Sequence, residues 1–173
     1  FTAKMAAATI KKNVESMADI FITGQNSASA HTKLEKLWRE GSCFTVDILG
    51  EAVVSEQEAA HYQARYIELI EGLSERVKSW PSQPLLENSP LGAIPRANVS
   101  VKCSSLYSQM DNVAFEKTLE ILKERLRPIL RSAIQHNVFI NLDMEQYDYR
   151  ELLLKLAEEI FVEDEFMAYR HFG

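Results

Sequence analysis

Apolar positions along this chain follow two rhythms in turn, one of helical period and one of period two, and their order predicts the fold. Residues 8–23 place Ile10, Val14, Met17, Ile20 and Phe21 at a spacing of about 3.6, and Gly24 follows where a helix stops. A second helix is expected over 30–40, with Leu34, Leu37 and Trp38 on one face and Gly41 just beyond. Residues 43–49 are short and β-prone. Ser55 and Glu58 then form a capping box opening a long helix through Tyr62, Tyr66, Leu69, Ile70 and Leu73. Pro81, Pro84, Pro90 and Pro95 crowd the next stretch, so a long irregular connection is expected there. Residues 97–103 read as a second strand. Asp111 or Asn112 is placed to cap a helix through Phe115, Leu119, Leu122, Leu126, Ile129 and Leu130, with a bend expected at Pro128. A third strand over 138–143 precedes a helix over 149–161 that buries Leu152, Leu153, Leu156 and Ile160.

Strand then helix, three times over, is the pattern of a parallel sheet built by right-handed crossovers, in either a barrel or a doubly wound fold. Strand parity adds chemistry. Phe44, Val46 and Ile48, then Val99, Val101 and Cys103, then Ile140, Leu142 and Met144 give each strand an apolar, helix-facing side. The opposite side carries Asp47, Lys102 and Asp143, each near the carboxyl end of its strand, where barrel enzymes keep their active sites. Charges in a helix-covered parallel sheet need partners or a function. A structural ion pair between Lys102 and one aspartate is the plain alternative. A doubly wound nucleotide fold is disfavoured because no GxGxxG or GxxxxGK[ST] follows a strand. Met17, Phe115 and Phe166 read as core, and the charged runs at 123–125 and 163–165 as solvated faces.

Composition narrows the classes further. The 173 residues suffice for one sizeable core, and a net charge of −6 gives no basic surface for nucleic acid. No apolar run reaches the roughly 18 residues of a membrane span, and no secretion signal opens the chain, so a cytoplasmic protein is expected. Cys43 and Cys103 lie on opposite parities, which argues against a disulfide, and four scattered histidines offer no metal motif, so no metal site is expected.

The segments Phe44-Thr-Val-Asp-Ile-Leu-Gly-Glu-Ala, Asn98-Val-Ser-Val-Lys-Cys-Ser-Ser-Leu-Tyr-Ser and Asn141-Leu-Asp-Met-Glu, with the arm helix Asn13-Val-Glu-Ser-Met-Ala before them, resemble in order and spacing the proline dehydrogenases of the bacterial proline-utilisation (PutA) type. The resemblance implies a distorted (βα)8 TIM barrel, bound FAD, and oxidation of L-proline to Δ1-pyrroline-5-carboxylate with electrons passed to a quinone. It implies that Lys102 lies beside flavin and substrate, drawing the substrate carboxylate and stabilising negative charge on the flavin. It further implies that Asp143 orders the site by holding an arginine, that Asp47 belongs to the same site, that Glu51 gates the pocket, and that Met144 and Glu145 come near the flavin. For the full enzyme it also leaves room for a homo-oligomer and peripheral membrane contact.

On this reading residues 1–42 form a helical arm and 43–173 the first part of the barrel, truncated before the fourth strand. A full barrel takes roughly 200 residues or more, so this piece alone is expected to be inactive, with weak FAD binding and an exposed sheet edge. Two alternatives stay open: a Schiff-base aldolase barrel using Lys102 as nucleophile, and a noncatalytic scaffold or interaction fragment.

Overall fold

Two helices lead into the sheet. The computed structural model describes residues 3–50 and 52–173; α1 spans Ala3–Phe21 and α2 spans Ser27–Arg39. α2 begins earlier than its apolar pattern because Asn26 caps it, accepting from the Ser29 N–H at 2.9 Å while the Ser29 hydroxyl accepts from the Asn26 N–H. Gly41, at φ 83°, carries the chain out of the helix in the left-handed conformation. Trp38 is buried and donates through Nε1 to the Pro81 carbonyl at 2.8 Å, and Trp80 donates to His31 Nδ1 at 3.3 Å. These contacts fasten α2 to the body of the fold.

The described side chains of α1 do not join the core. Ile10, Val14 and Met17 are 62, 58 and 64% exposed, so the helical period is present but Met17 is not a core residue. α2 packs on α3, α3 on α5 and α5 on α6, with α3 against β4 and α5 against β5. Phe166 is fully buried and Phe115 packs at the margin of the core, as their positions suggest.

β1 (Val46–Asp47) is shorter than the expected 43–49, because its only ladder among the described residues sets Val46 opposite Val99 and Asp47 opposite Ser100. α3 (Glu56–Val77) follows with Ser55 as its cap; Ser55 Oγ accepts from the Glu58 N–H, while the Glu58 carboxylate reaches back to Val54 N–H at 3.0 Å. The proline-rich stretch, expected to be irregular, contains α4 (Pro84–Glu87) and a hairpin of β2 (Asn88–Ser89) with β3 (Gly92–Ala93). Its prolines sit where no N–H is needed, Pro84 in the first helical turn and Pro90 in the hairpin turn. Arg96 closes this connection by donating to the Val77 and Trp80 carbonyls at 3.0 and 2.8 Å.

β4 (Ala97–Lys102) leads to α5 (Phe115–His136), which continues without a break through Pro128. Neither Asp111 nor Asn112 caps α5. Asp111 Oδ1 accepts from the Val113 N–H in a local turn, Asn112 donates to the Asp148 carbonyl, and Ala114 occupies the cap position without a side-chain bond. Asn137, at φ 52°, ends the helix and turns it into β5 (Val138–Asp143), followed by α6 (Arg150–Ile160). The last residues return to the sheet. Ile140 N–H donates to the His171 carbonyl, and Leu142 N–H to that of Gly173, each at 2.9 Å, so Phe172 runs parallel beside β5.

The sheet is parallel and ordered β1, β4, β5, then residues 171–173. Ala97, Val99, Val101, Val138 and Ile140 are fully buried on the helix-facing side with Ile70, Leu122, Leu126 and Ile129. The charged runs are not simple solvated faces: Arg127 makes a forked pair with Glu163 at 2.9 and 2.8 Å, Arg131 pairs with Glu165, and Lys123 lies buried between Glu120 and Glu159. They join α5 to α6 and the turns after it, because the long basic stems pack along the helix while their heads meet acids. Among the described residues no helix is long and apolar enough to cross a membrane.

Ile129→Ala, a truncation at the centre of the core, is expected to destabilise the protein by about 2–5 kcal/mol, whereas Ile10→Ala on the exposed face of α1 changes stability by no more than about 0.5 kcal/mol. Urea unfolding monitored by circular dichroism checks the contrast.

Candidate functional site

The polar side of the sheet carries one ammonium among three carboxylates. Lys102 ends β4 directly opposite Asp143, which ends β5, and Asp47 stands opposite Ser100, two residues before Lys102 and on the same face. Strands in register at about 4.8 Å spacing put these side chains within reach of one another. Lys102 Nζ donates to Asp143 Oδ2 at 2.9 Å and to Asp47 Oδ2, and Glu145 Oε1 lies 3.4 Å away. Parity thus brings Asp47, Lys102 and Asp143 together, and Glu145, two residues past Asp143, joins them. Ser104 Oγ fixes Glu145 by donating to Oε2 at 2.9 Å. Met144, on the other parity, is 46% exposed at the rim. Glu51 lies outside the described residues.

The Lys102 side chain is only 12% exposed, against 36% for Asp47, 36% for Asp143 and 31% for Glu145. Burial alone lowers a lysine pKa, but the hydrogen bonds to Asp47 and Asp143, with their charges, outweigh it and hold Lys102 well above its ordinary value. The ammonium is permanent near neutral pH. Three carboxylates and one ammonium leave two net negative charges, so this is not a neutral structural pair. The acids' remaining lone pairs are open to a cationic donor.

Several supporting groups escaped the sequence pattern. Tyr66, a stripe position of α3, is fully buried, and its phenol oxygen accepts from the Lys102 N–H at 3.0 Å. Ser105 Oγ donates to the Lys102 carbonyl at 2.7 Å. Glu56, in the first turn of α3, accepts from the Ser108 hydroxyl and N–H and from Arg125, tying the loop after β4 to α3 and α5; the Ser108 hydroxyl is the chief cause of its lowered pKa. The available signal was the polar tip of a helical tyrosine and a Ser-Ser pair one residue past a strand-end lysine. The two thiols differ sharply: Cys43 is exposed, while burial, aided by the charges of Glu145 and Asp143, pushes Cys103 up to about 12.

A cavity of about 540 Å³ lies between α2, α3 and β1, lined by the consecutive residues Thr45, Val46, Asp47, Ile48 and Leu49 among others. Of the charged cluster only Asp47 borders it.

Comparison with known proteins gives consistent matches. The family model for proline dehydrogenase matches residues 30–173. The chain is 26% identical over 157 residues to the bifunctional protein PutA of Klebsiella aerogenes, covering 91% of this chain and 11% of that protein. It is 26% identical over 139 residues to proline dehydrogenase 1 of Bacillus subtilis (strain 168), covering 80% of this chain and 38% of the relative. The crystal structure of PutA from Bdellovibrio bacteriovorus inactivated by N-propargylglycine superposes with a TM-score of 0.93 at 44% identity, over 98% of this chain and 18% of that one. The chain therefore spans a minor part of each of these proteins.

Two outcomes are expected from the site geometry. In the native protein a thiol reagent labels Cys43 and spares Cys103, and both react once the chain is unfolded, as counted by thiol titration. Because the Lys102 pKa is raised on folding, its contribution to stability is fully present below its ordinary value of 10.5 and is lost as pH climbs above that toward the higher folded value. The stability difference between wild type and Lys102→Met is therefore flat from about pH 7 to about pH 10 and shrinks beyond, as measured by denaturant unfolding across pH.

Proposed function

Since this chain belongs to the proline dehydrogenase family, we propose that it forms part of an FAD-dependent enzyme that oxidises L-proline to Δ1-pyrroline-5-carboxylate and delivers the electrons to a quinone. The reading rests on one observation above all, the Lys102 ammonium held among Asp47, Asp143 and Glu145 at the carboxyl ends of three parallel strands. Residues 43–173 are the first part of a (βα)8 barrel, and 1–42 an arm before it. Strand order that follows the chain, helices against one face only, and a polar opposite face all favour a barrel over a doubly wound sheet. The cavity beside residues 45–49 runs along the unpaired edge of β1, where a closing last strand is accommodated.

The donor set suits a flavin. A fixed ammonium at a strand end offers positive charge to a flat ring, Met144 is exposed at the rim of the same strand end, and Lys102, Met144 and Glu145 are the residues that would hold it. When bound, FAD supplies the acceptor for a hydride from the proline ring carbon next to nitrogen. Lys102 keeps fixed positive charge at that place without reorganisation. Two of its N–H groups are already directed at Asp47 and Asp143, so it draws the substrate carboxylate through its charge, together with a further cation. Asp143 holds a guanidinium from the rest of the barrel, and that cation offsets part of the cluster's excess negative charge and binds the carboxylate. N-propargylglycine, which inactivates the Bdellovibrio protein, shares with proline a secondary amine and a carboxylate.

The Schiff-base reading requires a lysine pKa lowered toward neutrality, and the carboxylates push Lys102 the other way. A scaffold role leaves the caged ammonium without a purpose.

Full-length protein loaded with FAD is expected to lose its flavin absorbance on anaerobic addition of L-proline. Lys102→Ala should lower kcat/KM by about 10²–10³, with a much smaller effect on the melting temperature. Equal loss of both, or no bleaching by wild type, rejects the reading.

A further inference from the structure

We propose that Tyr66 and Ser105 form a buried clamp on the backbone of Lys102 and are positioning residues for its ammonium; the proposal deepens the functional reading above and rests on it for its kinetic consequence. The ladder between β1 and β4 stops at Asp47 opposite Ser100, two residues short of Lys102. Beyond that point the β1 edge gives Lys102 no strand partner. The Tyr66 phenol, which no solvent reaches, takes the Lys102 N–H at 3.0 Å, and the Ser105 hydroxyl takes the carbonyl of the same residue at 2.7 Å. Both polar atoms of one peptide residue are thus held by side chains, one distant in sequence on α3 and one local, in the 3-10 turn Cys103–Ser105 that Lys102 opens.

The placement matters because Lys102 is where the strand ends and the chain turns. A lysine stem has four rotatable bonds, and its ammonium stays between acids on two neighbouring strands only if its root is fixed. The β4–β5 ladder pairs Asp143 with Lys102 itself and restrains both on that side, and Glu145 is held by Ser104. The clamp gives Lys102 the equivalent restraint on the side where the sheet does not. Ring packing of Tyr66 alone does not supply this, since the hydroxyl makes the contact.

The test uses the full-length flavin-loaded protein with Tyr66→Phe, Ser105→Ala and, as a packing control on the same helix, Ile70→Val, which is buried and makes no hydrogen bond to Lys102. Two quantities are read: acetylation of Lys102 by acetic anhydride at pH 9, quantified by peptide mass spectrometry, and the limiting rate of flavin bleaching at saturating proline beside the proline concentration giving half that rate. Acetylation of Lys102 is expected to rise several-fold in Tyr66→Phe and Ser105→Ala and to stay at the wild-type level in Ile70→Val. The limiting rate is expected to fall about tenfold in the two clamp variants, with the half-saturating concentration little changed. Unchanged acetylation in both clamp variants, or an equal rise in the control, overturns the clamp. If wild type is not bleached by proline, the functional reading fails, and the acetylation pattern still decides for or against the clamp.

Discussion

A lysine whose charge is surrounded by more acid than it can neutralise sets the terms for the rest of the structure. Lys102 is desolvated by the sheet and the helices behind it, a situation that by itself expels a proton, and it keeps that proton because Asp47 and Asp143 are hydrogen-bonded to it. The acids are held near one another, in turn, by the cation between them. Removing the lysine leaves three neighbouring carboxylates without their shared cation, so the strands that carry them must keep a common register. The parallel ladder provides it, pairing Ala97 through Lys102 with Val138 through Asp143 residue for residue.

Behind the sheet, the helical layer serves that register. Val99, Val101 and Ile140 are buried against α3 and α5, and the long side chains of α5 extend the grip to α6 and beyond through Lys123, Arg127 and Arg131. Those ion pairs secure the turns that bring residues 171–173 back beside β5. Chemistry on one face and packing on the other are thus divided by strand parity.

Parity is also why so much of the candidate site was legible in the sequence. Alternation in 97–103 and 138–143 placed Lys102 and Asp143 on the face away from Val101 and Leu142, and the period of two admits no intermediate answer. The helices α3, α5 and α6 were legible for a similar reason, each having a strong apolar stripe. The misreadings occur where local pattern does not determine partners. Met17 belongs to a good stripe yet is 64% exposed, and Asp111 has the right chemistry for a cap yet bonds within its own turn. The helical segment and hairpin at 84–93 hid among prolines because short elements need no periodic signal. Tyr66 was hidden most thoroughly, since its ring obeys the apolar pattern and only its oxygen reaches the backbone of Lys102.

Cys103 follows Lys102 and shares its neighbourhood of acids, yet its sulfur points into the apolar layer and stays protonated. If the proposed flavin chemistry runs on the opposite face, the enzyme keeps an oxidisable atom one residue from its redox centre and still denies it a part in that chemistry. Peroxide formed by stray oxygen would meet a protonated thiol sealed beneath the strand, and the site needs no protective partner for it.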